Sequence, residues 1–153
     1  MDELRRSLRM MQEDFDLIGT LSDYCKVASA RHRLEVRFGQ SGRERVVGPE
    51  SALALFRVLQ ESITNVARHC GKGTPVDVTL DFRPAQATLR IKDHGQGFDL
   101  PDEADGLARN GHYGLANMQE RARKISGDLR MTSSPGQGTC IELTVHAGEE
   151  LER

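Results

Sequence analysis

With 153 residues, 37% of them apolar and 29% charged, the chain suits one folded domain with a real core and leaves little room for extended disorder. A formal net charge of -2, without a basic stripe carrying interleaved aromatics, argues against a nucleic-acid module. No stretch is apolar for long enough to span a bilayer, and Met1-Asp2-Glu3-Leu4 opens on charge rather than a signal peptide, so the domain is expected in the cytoplasm without membrane contact.

In chain order, residues 2–12 have helical composition, and 1–15 are expected to be the tail of a preceding helix. A main domain is expected over 16–148. A helix is predicted from Asp16 to Arg31, with Leu17, Leu21, Tyr24 and Ala28 on one face. Leu34, Val36 and Phe38 alternate as a strand, and Gln40-Ser41-Gly42 reads as a hairpin turn into Glu44–Val47. Pro49 and Glu50 open the next helix, which Gly71-Lys72-Gly73 closes. At about 100° per residue, Leu55, Phe56, Leu59, Ile63, Val66, Ala67 and Cys70 share an arc of roughly 120°. Glu61 and Asn65 lie almost opposite it, flanked by Arg68 and His69.

Val76 to Phe82 and Ala87 to Ile91 alternate around a short connection, so a hairpin is predicted. Gly95 to Asn110 is a loop. A helix over 114–126 buries Leu115, Met118, Ala122 and Ile125 and is stopped by Gly127, with Arg121, Arg123 and Lys124 on its solvated face. Leu129 and Met131 form a short strand, and Pro135-Gly136-Gln137-Gly138 turns into a last strand with Ile141, Leu143 and Val145 inward. Residues 149–153 are read as a tail or a cloning remnant. Cys25, Cys70 and Cys140 are odd in number and lack CxxC spacing, which suits reduced thiols and not zinc.

Three places carry chemistry. Asp93 ends the inward series 87, 89 and 91, and an inward carboxylate needs a partner because an unpaired buried charge is costly. Thr139 stands in the inward series of the last strand, so the two could meet at the edge of a base; each also suits an ordinary turn. Gly95 and Gly97 let the backbone bend beside a flat ligand. Glu61 and Asn65, at i and i+4, fit either a solvated helix face or a magnesium site that takes its remaining oxygens from phosphate and water. Asn is a poor helix former, which favours the second reading. Arg68 suits phosphate or solvent, and His69 suits a sugar, a base or the helix end. Gly111 and Gly114 precede a helix whose first amides could take phosphate oxygens. No GxxxxGK[ST] or strand–GxGxxG–helix unit occurs.

The ordered set Gln60-Glu-Ser-Ile-Thr-Asn-Val-Ala-Arg-His69, Asp93-x-Gly-x-Gly-Phe98, Gly111-x-x-Gly-Leu-x-x-Met-x-Glu-Arg-Ala122 and Ser134-Pro-Gly-x-Gly-Thr139 resembles the catalytic ATP-binding domain of sensor histidine kinases. These belong to the gyrase, chaperone, kinase and MutL (GHKL) superfamily with the Bergerat fold. The Met-x-Glu-Arg-Ala ending resembles the subfamily of the nitrate sensor NarX. The resemblance implies an α/β sandwich, a mixed and largely antiparallel sheet covered on one face by about three helices. It implies ATP and Mg2+ as ligands, with Asn65 and Glu61 as catalytic and metal-binding residues. Asp93 would take the adenine amino group with Thr139 behind it, Gly95 and Gly97 would shape the base pocket, and Gly111, His112, Tyr113, Gly114 and Leu115 would cover the phosphates. Arg68 and His69 would complete the nucleotide contacts.

The implied reaction is γ-phosphoryl transfer to a histidine on a separate segment, since residues 1–30 lack the family's acceptor helix and His32 lacks its setting. The implied partners are the dimerisation and acceptor helices of the parent kinase, of which residues 1–15 could be a dimerisation-helix remnant, and a response regulator, with the isolated domain monomeric and the parent a homodimer. An anti-sigma-factor-type serine kinase and a non-catalytic nucleotide-binding module are the rival readings. His94 is assigned no role.

Overall fold

A computed structural model of the chain describes residues 15–99 and 113–151. Its elements are α1 (Leu17–His32), β1 (Glu35–Ser41), α2 (Pro49–His69), β2 (Pro75–Arg83), β3 (Gln86–Asp93), α3 (Tyr113–Lys124), β4 (Asp128–Ser133) and β5 (Thr139–His146). The five strands form one sheet in the order β1-β2-β3-β5-β4, with β1 parallel to β2 and every other pair antiparallel. This is the mixed, largely antiparallel sheet under helices that the sequence predicts.

Register explains why one face is buried. Val78 sits opposite Ile91 and Leu80 opposite Leu89, while Leu89 and Ile91 also face Leu143 and Ile141 on β5. These side chains form the core with Leu21 and Cys25 of α1, Leu55, Phe56 and Leu59 of α2, and Leu115 and Met118 of α3. The alternate residues carry polar pairs on the opposite face, among them Arg90 with Glu142 at 3.3 Å and Thr88 with Thr144 at 2.9 Å. Tyr24 of α1 meets Phe56 of α2 edge to face, with ring centroids 5.4 Å apart.

The expected hairpin at 40–42 does not form. β1 pairs instead with β2 in parallel, through the α2 crossover that a parallel pair demands. Gly42, at φ 78°, lies where a Cβ would overlap the Phe82 carbonyl oxygen. The Glu44–Val46 segment finds its partner at the far end of the chain. Val46 N donates to Glu149 O at 2.9 Å, and Leu151 N donates to Glu44 O at 2.7 Å. Arg45 adds contacts to Glu150 at 3.5 Å and to Gly148 O at 3.1 Å. Residues 149–151, expected as a tail, are therefore held against the domain.

Helix α2 also buries more than the predicted arc. Ala54, Val58 and Ser62 are buried in addition, because α3 packs along its flank, where Ser62 Oγ donates to Met118 Sδ at 3.8 Å. Helix α3 ends at Lys124, three residues before the glycine expected to stop it. Ser126 takes the left-handed conformation at φ 54°, and Gly127 N closes the cap on Ala122 O at 2.8 Å. Ser126→Gly is therefore expected to stabilise the domain by about 1 kcal/mol, a rise of about 3 °C in the thermal midpoint. A lower midpoint would show that Ser126 supplies something beyond its conformation.

Candidate functional site

Beside the end of β3, α2, the 96–98 loop, the first turn of α3 and the start of β5 surround a cavity of about 240 Å³. Val66, Ile91, Phe98, Leu115 and Ile141 give it apolar walls, and Asn65, Arg68, His69, Asp93 and Thr139 add polar groups. Asp93 is the one buried charged side chain among the described residues, 7% exposed. Its Oδ1 accepts from Gly95 N at 2.9 Å and from Thr139 N at 3.2 Å, while Oδ2 has no hydrogen-bond partner among the described residues. The β3–β5 ladder stops at Lys92 opposite Cys140, one pair short of Asp93. The Thr139 amide is thereby released from the ladder and turns to the carboxylate. A buried carboxylate with one oxygen satisfied and one open is a built acceptor for a ligand N–H.

Two loops stack backbone on backbone around it. Gly138, at φ 71°, brings its Cα so close that a Cβ would overlap the Asp93 carbonyl oxygen. Gly97, at φ 66°, stands likewise against Ser134 O. Gly136 N donates to Gln96 O at 2.6 Å. Ser133 Oγ ties the loops together, accepting from Phe98 N at 3.0 Å and meeting Thr139 Oγ1 at 2.8 Å. Thr139 thus reaches Asp93 through its amide while its hydroxyl is engaged by Ser133. Gly97 lines the cavity, whereas Gly95 does not. Gly95 is bare because a Cβ there would overlap the Cys70 sulfur at the end of α2.

Asn65 lines the cavity, partly buried, and Glu61 stands one turn before it. Neither side chain has a hydrogen bond or ion pair among the described residues. The Glu61 carboxylate lies against Gly114, where a Cβ would overlap Oε1, so glycine opens α3 at the place that lets the acid in. Arg68 and His69 are exposed at the cavity rim. Tyr113 is the first residue of α3, and its side chain, with Gly111 and His112, lies outside what is described. Among the described residues no cluster of three or more His, Cys, Asp or Glu could hold a metal ion. Glu61 and Asn65 together offer one carboxylate and one amide oxygen, which suits a cation that takes its other ligands from phosphate and water.

Sequence reasoning did not single out Gln96, Ser133, Gly138 or Cys70. Gln96 Nε2 donates to His69 O at 3.0 Å, tying the glycine loop to the end of α2. The left-handed pattern Pro-Gly-x-Gly was the available signal for Gly138. His94 points away from the cavity to Asp77, with Nε2 at 3.0 Å from Oδ2. That hydrogen bond, assisted by Arg37, holds the Asp77 carboxyl below its ordinary range.

The profile described as histidine kinase-, DNA gyrase B- and HSP90-like ATPase matches residues 50–149. This chain belongs to that family. Among curated relatives of this ATPase domain, the histidine-protein kinase/phosphatase DegS of Brevibacillus brevis is 31% identical over 147 residues, covering 94% of this chain and 36% of the relative. The sensor protein VraS of Staphylococcus saprophyticus is 41% identical over 96 residues, covering 63% of this chain and 26% of the relative. The chain thus spans about a third or less of the length of these curated relatives. The fold is shared with the Erythrobacter litoralis EL346 blue-light activated histidine kinase, at a TM-score of 0.70 and 18% identity over 94% of this chain and 48% of the other. The mycobacterial sensor kinase MprB gives a TM-score of 0.61 at 20% identity, over 85% and 95% of the two chains. These two curated relatives are of the DegS and VraS type. Among the described residues no helix of this ATPase domain is long and apolar enough to cross a membrane.

Proposed function

We propose that this chain is the cytoplasmic ATP-binding catalytic domain of a two-component sensor histidine kinase. It binds MgATP and passes the γ-phosphoryl to a histidine on its parent's acceptor helix. The observation that carries the reading is the open Oδ2 of the buried Asp93 in an apolar cavity whose wall also holds Asn65. Asp93 Oδ2 accepts from the adenine amino group, and the amides of Gly95 and Thr139 hold the carboxylate in place through Oδ1. Val66, Ile91 and Ile141 keep water from the base. The Asn65 amide oxygen holds magnesium, which when bound neutralises charge on the phosphates. Glu61 orients the incoming imidazole or takes its proton as the P–N bond forms and the bond from γ-phosphorus to the bridging oxygen breaks. Arg68 at the rim balances phosphate charge.

The partners on this reading are the parent's dimerisation and acceptor helices and a response regulator, with the domain itself monomeric within a homodimeric kinase. The Met118-x-Glu-Arg-Ala122 ending of α3 also supports a place near NarX-like kinases. Incubation with labelled ATP, magnesium and an acceptor-helix fragment from a DegS-type kinase is expected to leave acid-labile phosphate on the fragment. Acid-stable phosphate would instead identify a serine kinase. Absence of both phosphate and nucleotide binding would overturn the reading.

A further inference from the structure

The three thiols of the chain occupy unlike places. Cys25 is 1% exposed in the core, where burial pushes its thiol up to about 12. Cys140 is 8% exposed within β5. Cys70 alone of the three lines the cavity, at the point where α2 ends. A Cβ on Gly95 would overlap its sulfur and stand 3.1 Å from Asp93 Oδ1, so thiol and carboxylate flank the same glycine. Oδ2 of Asp93, on a side chain 7% exposed and without a hydrogen-bond partner among the described residues, offers this corner an acceptor for a hydrogen-bond-donating ligand.

We propose that Cys70 is a covalent modification site within the nucleotide cavity. An α,β-unsaturated amide carried on an aminopurine-like scaffold bonds there and closes the site to nucleotide. The scaffold's amino group donates to Asp93, which sets its alkene beside the sulfur. The thiolate adds to the β-carbon, the alkene electrons move to the α-carbon, and that carbon takes a proton from water while the thiol proton has gone to solvent. No oxidant enters and nothing leaves. Burial, together with the charge of Asp93, holds the Cys70 thiol above its ordinary range, although the Gln96 backbone amide works the other way. Free reagents are therefore slow at neutral pH, and docking on Asp93 supplies the local concentration that they lack. The adduct occupies part of a cavity of about 240 Å³, so base and adduct exclude each other.

The inference rests on the nucleotide reading, and one experiment separates the two. The whole chain is treated with N-ethylmaleimide or with an aminopurine acrylamide, with and without MgADP. Adducts are located by peptide mass spectrometry, and binding is followed with a fluorescent ATP analogue. Cys70 is expected to label at least about tenfold faster than Cys25 or Cys140, with the acrylamide gaining more than the maleimide over its rate on a free thiol. MgADP is expected to slow that labelling about tenfold, and analogue binding to fall in step with adduct formation. Cys70→Ser, compared with its own untreated signal, is expected to lose none on treatment. Untreated protein that does not bind the analogue overturns the nucleotide reading and the blocking role together. Binding-competent protein that leaves Cys70 unlabelled, or labels it without loss of binding, overturns the covalent site alone.

Discussion

Asp93→Asn is expected to weaken MgATP binding roughly tenfold to a hundredfold, from the 1.5–3 kcal/mol typical of a hydrogen bond to a charged group. The geometry makes the direction unambiguous. Oδ1 already takes two backbone amides, Gly95 N at 2.9 Å and Thr139 N at 3.2 Å. An asparagine keeps its oxygen there, because the flipped rotamer would set an NH2 against two N–H donors. The amide nitrogen must then occupy the Oδ2 position and face the adenine amino group, donor against donor. The same nitrogen can donate to the 6-oxygen of guanine, so the variant should lose its preference for ATP over GTP as well as its affinity. Both internal hydrogen bonds survive, and the thermal midpoint should move little. Equal ATP titrations for variant and parent would remove the carboxylate from the base site.

Asn65→Ala separates function from stability by sign. Asparagine in mid-helix is worse than alanine by about 0.5 kcal/mol, and Asn65 has no hydrogen-bond partner among the described residues to offset this, so the variant should be slightly more stable. Phosphoryl transfer to an acceptor fragment should nevertheless fall about a hundredfold or more, because the amide oxygen is the proposed magnesium ligand. Binding of metal-free adenosine should stay within about twofold, since the base contacts lie at Asp93. A large loss of adenosine affinity would mean that Asn65 shapes the base pocket instead. Unchanged transfer would mean that the metal is held elsewhere.

Most of the sheet could be read from alternation, because each strand buries one face and the period of two survives in Val76 to Phe82 and Ala87 to Ile91. The polar side of α2 was legible for the same reason, with Glu61 and Asn65 off the apolar stripe. The pairing of Glu44–Val46 with Glu149–Leu151 was not, since two short segments about a hundred residues apart leave no local period. The roles of Ser133 and Gln96 were hidden too, because a hydroxyl or an amide in a loop has no signature until its partners are placed.

Periodicity, turn chemistry and spacing by themselves determined which face of each strand turns inward, the approximate extent of the helices, and that the end of β3 carries an inward acid. They did so because side-chain direction follows from the local backbone alone. Only the tertiary structure decided that Oδ1 of Asp93 is taken and Oδ2 open. It also decided that Gly138 must be bare against Asp93, that Gly114 must be bare against Glu61, and that a thiol borders the cavity. These are contacts between segments remote in the chain, set by how the helices settle on the sheet, and no local pattern encodes them.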